Sequence, residues 1–497
     1  MSDKSPRETL DDKSTEKKAG ETEKKKLLIP DVPPVVTHHH ITLDGQRLDY
    51  SAATGIVPLK DPDKDEVTAG IFFIAYTLDG VEDTSARPLV FVFNGGPGSS
   101  SVWLHLGAVG PRRVRMEDEG WMPRPPFRLE DNANTWLDTA DLVFIDPVGT
   151  GYSRAADPDK TKEFWSVESD LKSVGEFIRL YLTRNKRWHS PLFLAGESYG
   201  TTRAAGLAGY LIDRGITFNG IILISTVLNF QTLSFETGND LPYQVFLPSY
   251  AATAWYHKKL PPDLQARTLR EVVSEVEAWS ETEYAVLLAK GDRLTDEERA
   301  AGIARLARYT GIAPSFIDQT DLRIRDQHFY KELLRDRRRT VGRLDARFLG
   351  IDKLGVTEAP EHDPSLTAII PPYTAALNQY IRAELNYETD TLYEILSETV
   401  GEGWQWDRGK FADTSEALRA ALARNPYSRV FLALGYYDLA TPEFATQYTL
   451  SHLELDPSLR ANFQLEYYEA GHMLYLDVTA LAKFRADIRR FMVSALS

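Results

Sequence analysis

The 497-residue chain contains no cysteine. That excludes disulfides, thiolate metal sites and a cysteine nucleophile, and it leaves the redox compartment open. The chain has no apolar run of transmembrane length, so no membrane-spanning helix is expected. It has no excess of basic residues: 57 Lys and Arg stand against 72 Asp and Glu, for a net charge of −15. That balance argues against nucleic acid or an anionic membrane as a main partner. The N-terminal stretch lacks the apolar core of a secretory signal, so the chain as written reads as cytoplasmic, or as periplasmic or secreted if a leader had been removed. Histidine is scarce, 10 in all, and three of them are consecutive, His38-His39-His40. Neighbouring side chains on a strand point to opposite faces, so a triplet opening a strand does not converge on one ion.

What is present has the composition of a folded soluble protein, 43% hydrophobic and 26% charged. Residues 1–35 are polar and mixed in charge and read as a disordered tail. From 37 to 78 the pattern alternates between turn signals, as in an antiparallel meander, with 70–77 its clearest strand. Buried-strand patterns follow at 88–93, 141–145, 191–195 and 220–224, with helical stretches between them at 163–184 and 201–213. Strands alternating with helices predict an α/β protein with a doubly wound, mostly parallel sheet. Residues 226–425 carry helix-like apolar spacing, at 261–279, 295–309 and 415–424, and no convincing buried strand. The sheet pattern resumes at 429–434 and 462–467, and a last helix is expected over 479–494. The expected layout is therefore a tail (1–35), a sheet domain in two parts (36–225 and 426–497), and a mostly helical cap inserted between them (226–425).

Gly196-Glu197-Ser198-Tyr199-Gly200 lies between a buried strand and a helix. A Gly-x-Ser-x-Gly there forms a turn so tight that its flanking residues must be small, and it pushes the serine hydroxyl out over the carboxyl edge of the sheet. The Tyr199 amide, at the helix start, points to the same place and suits a developing oxyanion. A serine nucleophile needs a base, and the base needs an orienting carboxylate. In the α/β-hydrolase order the acid follows a late strand and the histidine follows the last one. Asp438 stands directly after 431–434, and His472, in Ala470-Gly471-His472-Met473, directly after 464–468. The loop Asn94-Gly95-Gly96-Pro97-Gly98-Ser99-Ser100-Ser101 follows the strand ending at Phe93, where the second oxyanion donor belongs.

Taken together, the glycine loop, Asp146-Pro147-Val148-Gly149-Thr150-Gly151-Tyr152-Ser153, Gly-Glu-Ser-Tyr-Gly, the late Asp and Gly-His-Met resemble the serine carboxypeptidases, peptidase family S10. The match runs in order over about 70–225 and 428–480. The resemblance implies an α/β-hydrolase fold with a helical cap, with Ser198 as nucleophile, His472 as general base and acid, and Asp438 orienting His472. It implies oxyanion donors at Gly96 and Tyr199, and a site for a substrate's free carboxylate at Asn94, Gly95 and Glu197. The implied partner is a peptide with a free C-terminus, and the implied chemistry uses no metal or other cofactor. A glutamate beside such a site is compatible with an anionic substrate only when one of the two acids carries a proton. The sequence departs from the family pattern at two places. Ser99 stands where the family usually has Cys. Ala108 stands where it often has a second Glu, with His105 and Arg112 nearby in sequence as candidate substitutes. Acyltransferases and hydroxynitrile lyases reuse the same triad, so ester or acyl chemistry is the alternative function.

Overall fold

A computed structural model of the chain describes residues 26–407 and 409–497. Residues 1–25 of the expected tail lie outside the described residues. Residues 26–34 form no helix or strand, although the Leu27 amide donates to the Ala156 carbonyl (2.7 Å) and Asp31 pairs with Arg184 (2.9 Å).

The molecule is built on one ten-stranded sheet. The expected meander forms antiparallel strands β1 (Val35–Leu43), β2 (Gln46–Lys60) and β3 (Val67–Leu78). Next come β4 (Leu89–Phe93), β5 (Asp141–Ile145), the two-residue β6 (Arg154–Ala155), β7 (Leu192–Ser198), β8 (Gly220–Thr226), β9 (Arg429–Gly435) and β10 (Phe463–Tyr468). The order across the sheet is β1-β2-β3-β5-β4-β7-β8-β9-β10, with β6 paired to β3. From β5 to β10 every neighbouring pair is parallel. Such strands are covered on both faces, which is why β4, Leu-Val-Phe-Val-Phe, is apolar and buried along its whole length. From β4 the chain crosses to β5 on one side and later returns as β7 on the other. This switch point opens a crevice at the carboxyl ends of β4 and β7.

Two buried apolar clusters lie on the two faces of the sheet. One is closed by α1 (Val167–Arg184) and α2 (Tyr199–Ile212). The other is closed by the last helix of the chain, whose Leu481, Phe484, Ile488, Phe491 and Met492 recur at helical spacing. Burying each such side chain contributes about 1.5–3 kcal/mol.

The segment expected as a cap divides between these clusters and one of its own. Its helices α3 (Leu241–Tyr256), α4 (Leu269–Trp279) and α5 (Asp296–Thr310) share a third apolar cluster, which also takes in Tyr436, Tyr437 and Leu439 from the loop after β9. Helix α6 (Pro364–Ala383) instead lays Ile369, Tyr373, Leu377 and Tyr380 on one sheet face, and α7 (Ser415–Arg424) packs Leu418 and Leu422 on the other. In this segment the only strands among the described residues are the two-residue pair Thr340–Val341 and Leu349–Gly350.

The three adjacent histidines follow strand alternation. His38 Nδ1 is 3.0 Å from Ser51 Oγ, while His39 bonds Thr37 and stacks on Tyr50.

Candidate active site

Ser198 ends β7 and precedes α2 with φ +61° and ψ −132°, a conformation L-residues rarely adopt and that costs of order 1–3 kcal/mol. The surroundings enforce it. A Cβ on Gly196 would stand 2.1 Å from the Gly200 carbonyl oxygen, and one on Gly200 would stand 2.9 Å from the Phe93 oxygen. The glycine loop packs directly on this turn: a Cβ on Gly95 would stand 2.5 Å from Tyr199 N. Gly96, at φ +101°, continues the loop. Tyr199 is the first residue of its helix, where an amide has no intrahelical partner. The loop carrying Gly95 and Gly96 and the amide of Tyr199 thus meet beside Ser198.

Asp438 is fully buried and saturated with donors. Its Oδ1 accepts from the amides of Ala440 (2.8 Å) and Thr441 (2.9 Å), and its Oδ2 accepts from Thr441 Oγ1 (2.8 Å) and pairs with His472 Nδ1 (2.8 Å). Burial pulls the His472 imidazole down. The Asp438 charge and hydrogen bond, with the Glu197 charge, outweigh it, so the net shift is upward from 6.5. The His472 carbonyl accepts from Ser225 Oγ (2.5 Å). Ser225 adjoins Thr226, the residue of β8 in register with Ser198. The histidine loop therefore stands one strand from the elbow. Among the described residues Ser198 Oγ makes no hydrogen bond, the imidazole included. In substrate-free sites such bonds are often long and tighten on binding.

Asn94 and Glu197 meet beside the serine. Asn94 Nδ2 donates to Glu197 Oε1 (3.0 Å), and Asn94 Oδ1 accepts from the Leu104 amide (3.0 Å), which fixes the orientation of the side-chain amide. Glu197 is 3% exposed, and its Oε2 has no partner. Burial pushes its carboxyl up to about 7, only partly offset by His472 and by neighbouring donors. The folded chain consequently binds more protons than the unfolded one between the ordinary value of 4.5 and about 7. Stability owed to this residue is complete below 4.5 and is lost as the pH rises through about 7.

The two candidate substitutes for a second carboxyl lie elsewhere. His105 is buried in the core, 2.7 Å from Tyr76 Oη and packed on Phe144, and burial pushes it down to about 3. Arg112 pairs with Asp131 and Glu384. Ala108 is buried, and its chain neighbour Gly107 packs against two tyrosines: a Cβ on Gly107 would stand 2.5 Å from the Tyr475 ring and 2.6 Å from Tyr373 Oη. Ser99, at the other departure, accepts from Trp103 Nε1 (2.7 Å).

The structure also gives the Asp146–Ser153 motif a purpose. Asp146 accepts from the Ser101 amide (2.8 Å) and from Tyr393 Oη (2.8 Å), tying the end of the glycine loop to the inserted segment. Gly151 leaves room for that carboxylate, since a Cβ there would stand 1.8 Å from it. Other supporting residues were not singled out from the sequence. Below the elbow, Asp170 on α1 accepts from Arg203 Nε (2.8 Å) and Tyr199 Oη (3.0 Å), and Arg203 Nη1 donates to the Asn94 carbonyl (2.7 Å). Behind the triad, the His472 amide donates to Leu344 O (2.6 Å), the Gly471 amide to Asp345 Oδ2 (3.1 Å), and the Leu439 amide to Arg343 O (3.0 Å). One stretch of the insertion therefore braces both the Asp438 and the His472 loops. A charged residue on the otherwise small, apolar face of α2 was a usable signal for Arg203. Nothing local marked residues 343–345.

A family model described as serine carboxypeptidase matches residues 50–474. The chain belongs to the serine carboxypeptidase family. Among curated relatives, serine carboxypeptidase-like 8 of Arabidopsis thaliana is 28% identical over 178 residues, 35% of this chain and 38% of that protein. Pheromone-processing carboxypeptidase KEX1 of Saccharomyces cerevisiae is 32% identical over 161 residues, 29% of this chain and 20% of that protein. The matches thus span well under half the length of either relative. The crystal structure of the yeast prohormone-processing carboxypeptidase superposes over 89% of this chain and 91% of its own, with a TM-score of 0.56 at 17% identity. At that identity the likeness concerns the fold, which is that of the α/β-hydrolases, shared by this family member.

Proposed function

We propose that the protein is a serine-type carboxypeptidase that releases C-terminal amino acids from peptides. The observation that carries this is the buried Glu197 carboxyl, one oxygen bare, next to the strained Ser198. A nucleophile needs no acid there, whereas a substrate ending in a carboxylate does. Family membership and the Asp438–His472 pair support the same reading.

In this mechanism the His472 imidazole takes the Ser198 Oγ proton as Oγ attacks the carbonyl carbon of the last peptide bond. The amides of Gly96 and Tyr199 hold the oxyanion. Asp438 keeps Nδ1 as the donor nitrogen and stabilises the imidazolium. The imidazolium then gives its proton to the departing nitrogen, the C–N bond breaks, and the free amino acid leaves. Water enters, loses a proton to His472 and attacks the acyl-enzyme, and the returning proton restores Ser198. Glu197, in its neutral form, donates to the substrate's terminal carboxylate alongside Asn94 and the Gly95 amide.

The absence of a second carboxyl at Ala108 favours one alternative, acyl or ester chemistry at the same triad. Paired N-blocked dipeptides, one with a free and one with an amidated C-terminus, separate the two. A carboxypeptidase cleaves the free acid and spares the amide, and an enzyme that turns over only esters overturns the proposal. Ser198→Ala is expected to lower kcat by about 10^5–10^6 and abolish fluorophosphonate labelling without unfolding the chain. Labelling that survives the substitution moves the nucleophile elsewhere.

A further inference from the structure

Tyr475 follows the histidine loop and is completely buried, yet among the described residues its hydroxyl has no hydrogen-bond partner. A buried phenol normally finds one, and leaving it bare costs about 1–3 kcal/mol. The hydroxyl lies against the Glu197 carboxyl and the Asn94 amide without a well-aligned bond to either. On the other side, Glu197 Oε2 is bare as well. Two unpartnered, water-excluded oxygens thus lie against each other next to Ser198.

We propose that Tyr475 is the positioning residue for Glu197: its hydroxyl holds the free oxygen of the Glu197 carboxyl in the orientation that meets a substrate's terminal carboxylate. The inference rests on the carboxypeptidase reading and deepens it. Tyr475 acts through Glu197 because it is wholly buried behind it, while Glu197 keeps 3% exposure and adjoins Ser198 in the chain. Other charged or titratable groups face Glu197 too: His472 and Asp438 on the triad side and the Tyr373 phenol on α6. Of these only Asp438 is a carboxylic acid, and its oxygens are already bonded to two amides, Thr441 and His472, so it shares no proton with Glu197. Two acids sharing a proton titrate in two coupled steps, whereas Glu197, the one carboxyl left for the substrate, has a single proton to lose. Recognition of the free carboxylate is therefore expected to weaken in a single step as Glu197 ionises near pH 7. This step lies above the acid range expected of a carboxyl pair.

The test uses the full-length Ser198→Ala protein, with N-acetyl-phenylalanine and its amide as probes, and binding measured calorimetrically from pH 5 to 9. The parent is expected to prefer the acid below pH 7 and to lose that preference in one step. Tyr475→Phe removes a donor that stabilises the ionised carboxyl, so the step is expected to move to higher pH. Below the step, acid affinity is expected to fall about three- to tenfold while amide affinity stays unchanged. With Glu197→Gln in the background there is nothing to titrate, and Tyr475→Phe should no longer shift any pH dependence. A step that stays in place in Tyr475→Phe, or equal losses for acid and amide, overturns the inference alone. A parent with no preference for the acid at any pH overturns the carboxypeptidase reading and this inference with it. On the Ser198-containing enzyme the same substitution should raise KM for free-acid peptides and leave kcat nearly unchanged.

Discussion

The two sides of the elbow use the same kinds of group in opposite ways. Below it, Asp170, Arg203, the Tyr199 phenol and the Asn94 carbonyl form a closed network, buried and hydrogen-bonded throughout, with Arg203 also lying 5.2 Å from the ring centroids of Phe93 and Tyr199. Above it, among the described residues, the buried Glu197 Oε2 and Tyr475 Oη have no partners, and the half-buried Ser198 Oγ makes no hydrogen bond. Folding alone favours the first arrangement and disfavours the second, because an unsatisfied buried polar group costs more than the net gain of a made hydrogen bond. The bare side therefore marks where a ligand completes the bonding, and the closed side holds it rigid. Asp438 stands between the two cases: it is closed on three sides by Thr441 and two amides, and its fourth contact is the base itself.

If this division holds, substitutions on the two sides should fail differently. Asp438→Asn should have the larger effect on turnover, about 10^4 in kcat, because an amide in that place favours the wrong imidazole tautomer. Its urea midpoint should move little, and its fluorophosphonate labelling rate should fall in parallel with kcat. A loss of stability as large as the loss of rate would place Asp438 with the scaffold instead.

Arg203→Ala should show the reverse. It leaves Asp170 charged and unpaired in the core and the Asn94 carbonyl without its donor, for a loss of about 3–5 kcal/mol. The urea midpoint is expected to fall with an unchanged slope. Whatever remains folded should retain the chemistry of the triad, with weaker substrate binding as Asn94 loses its brace. An unaltered midpoint would mean that the network below the elbow does not support it.

How much of this was legible in the sequence follows the same division. The elbow, the glycine loop, Asp438 and His472 are short local patterns fixed by sterics at strand ends. Gly196, Gly200 and Gly95 have to be glycine because backbone atoms stand 2.1–2.9 Å from where a Cβ would be. The strands were legible because parallel strands buried on both faces are apolar from end to end. The closed network was not, since it joins residues 94, 170, 199 and 203, and an aspartate at one position on an amphipathic helix looks like any surface aspartate until its partner is placed. The inserted segment was the least legible. Its helical character could be read from spacing. Apolar spacing, however, does not say which surface a helix covers, so the packing of α6 and α7 on the sheet and the bracing of His472 by Leu344 had no signal. His105 illustrates the converse. It is close in sequence to the glycine loop, but its side chain is buried in the core at the start of a π-type turn over His105–Val109.

The smallest and sharpest test of the division is Thr441, which belongs to the closed side but touches the base. Its hydroxyl donates to Asp438 Oδ2 (2.8 Å) and lies 3.2 Å from His472 Nδ1. Thr441→Val keeps the shape and the backbone amide bond to Asp438 Oδ1, and removes only the hydroxyl. Asp438 then has one donor fewer, so its charge is less neutralised locally and its hold on the imidazolium is stronger. The same lost bond also loosens the alignment of Asp438 on His472 Nδ1, and this cost of about 0.5–1.5 kcal/mol outweighs the stronger hold and lowers kcat about three- to tenfold. The His472 ionisation should also move upward, shifting the acid limb of the rate profile to higher pH. An ester substrate with no free carboxylate reads this limb cleanly, because Glu197 plays no part in binding it. If kcat falls without a shift of the limb, Thr441 serves only to shape the Asp438 loop. If neither changes, the two backbone amides alone suffice to orient the acid.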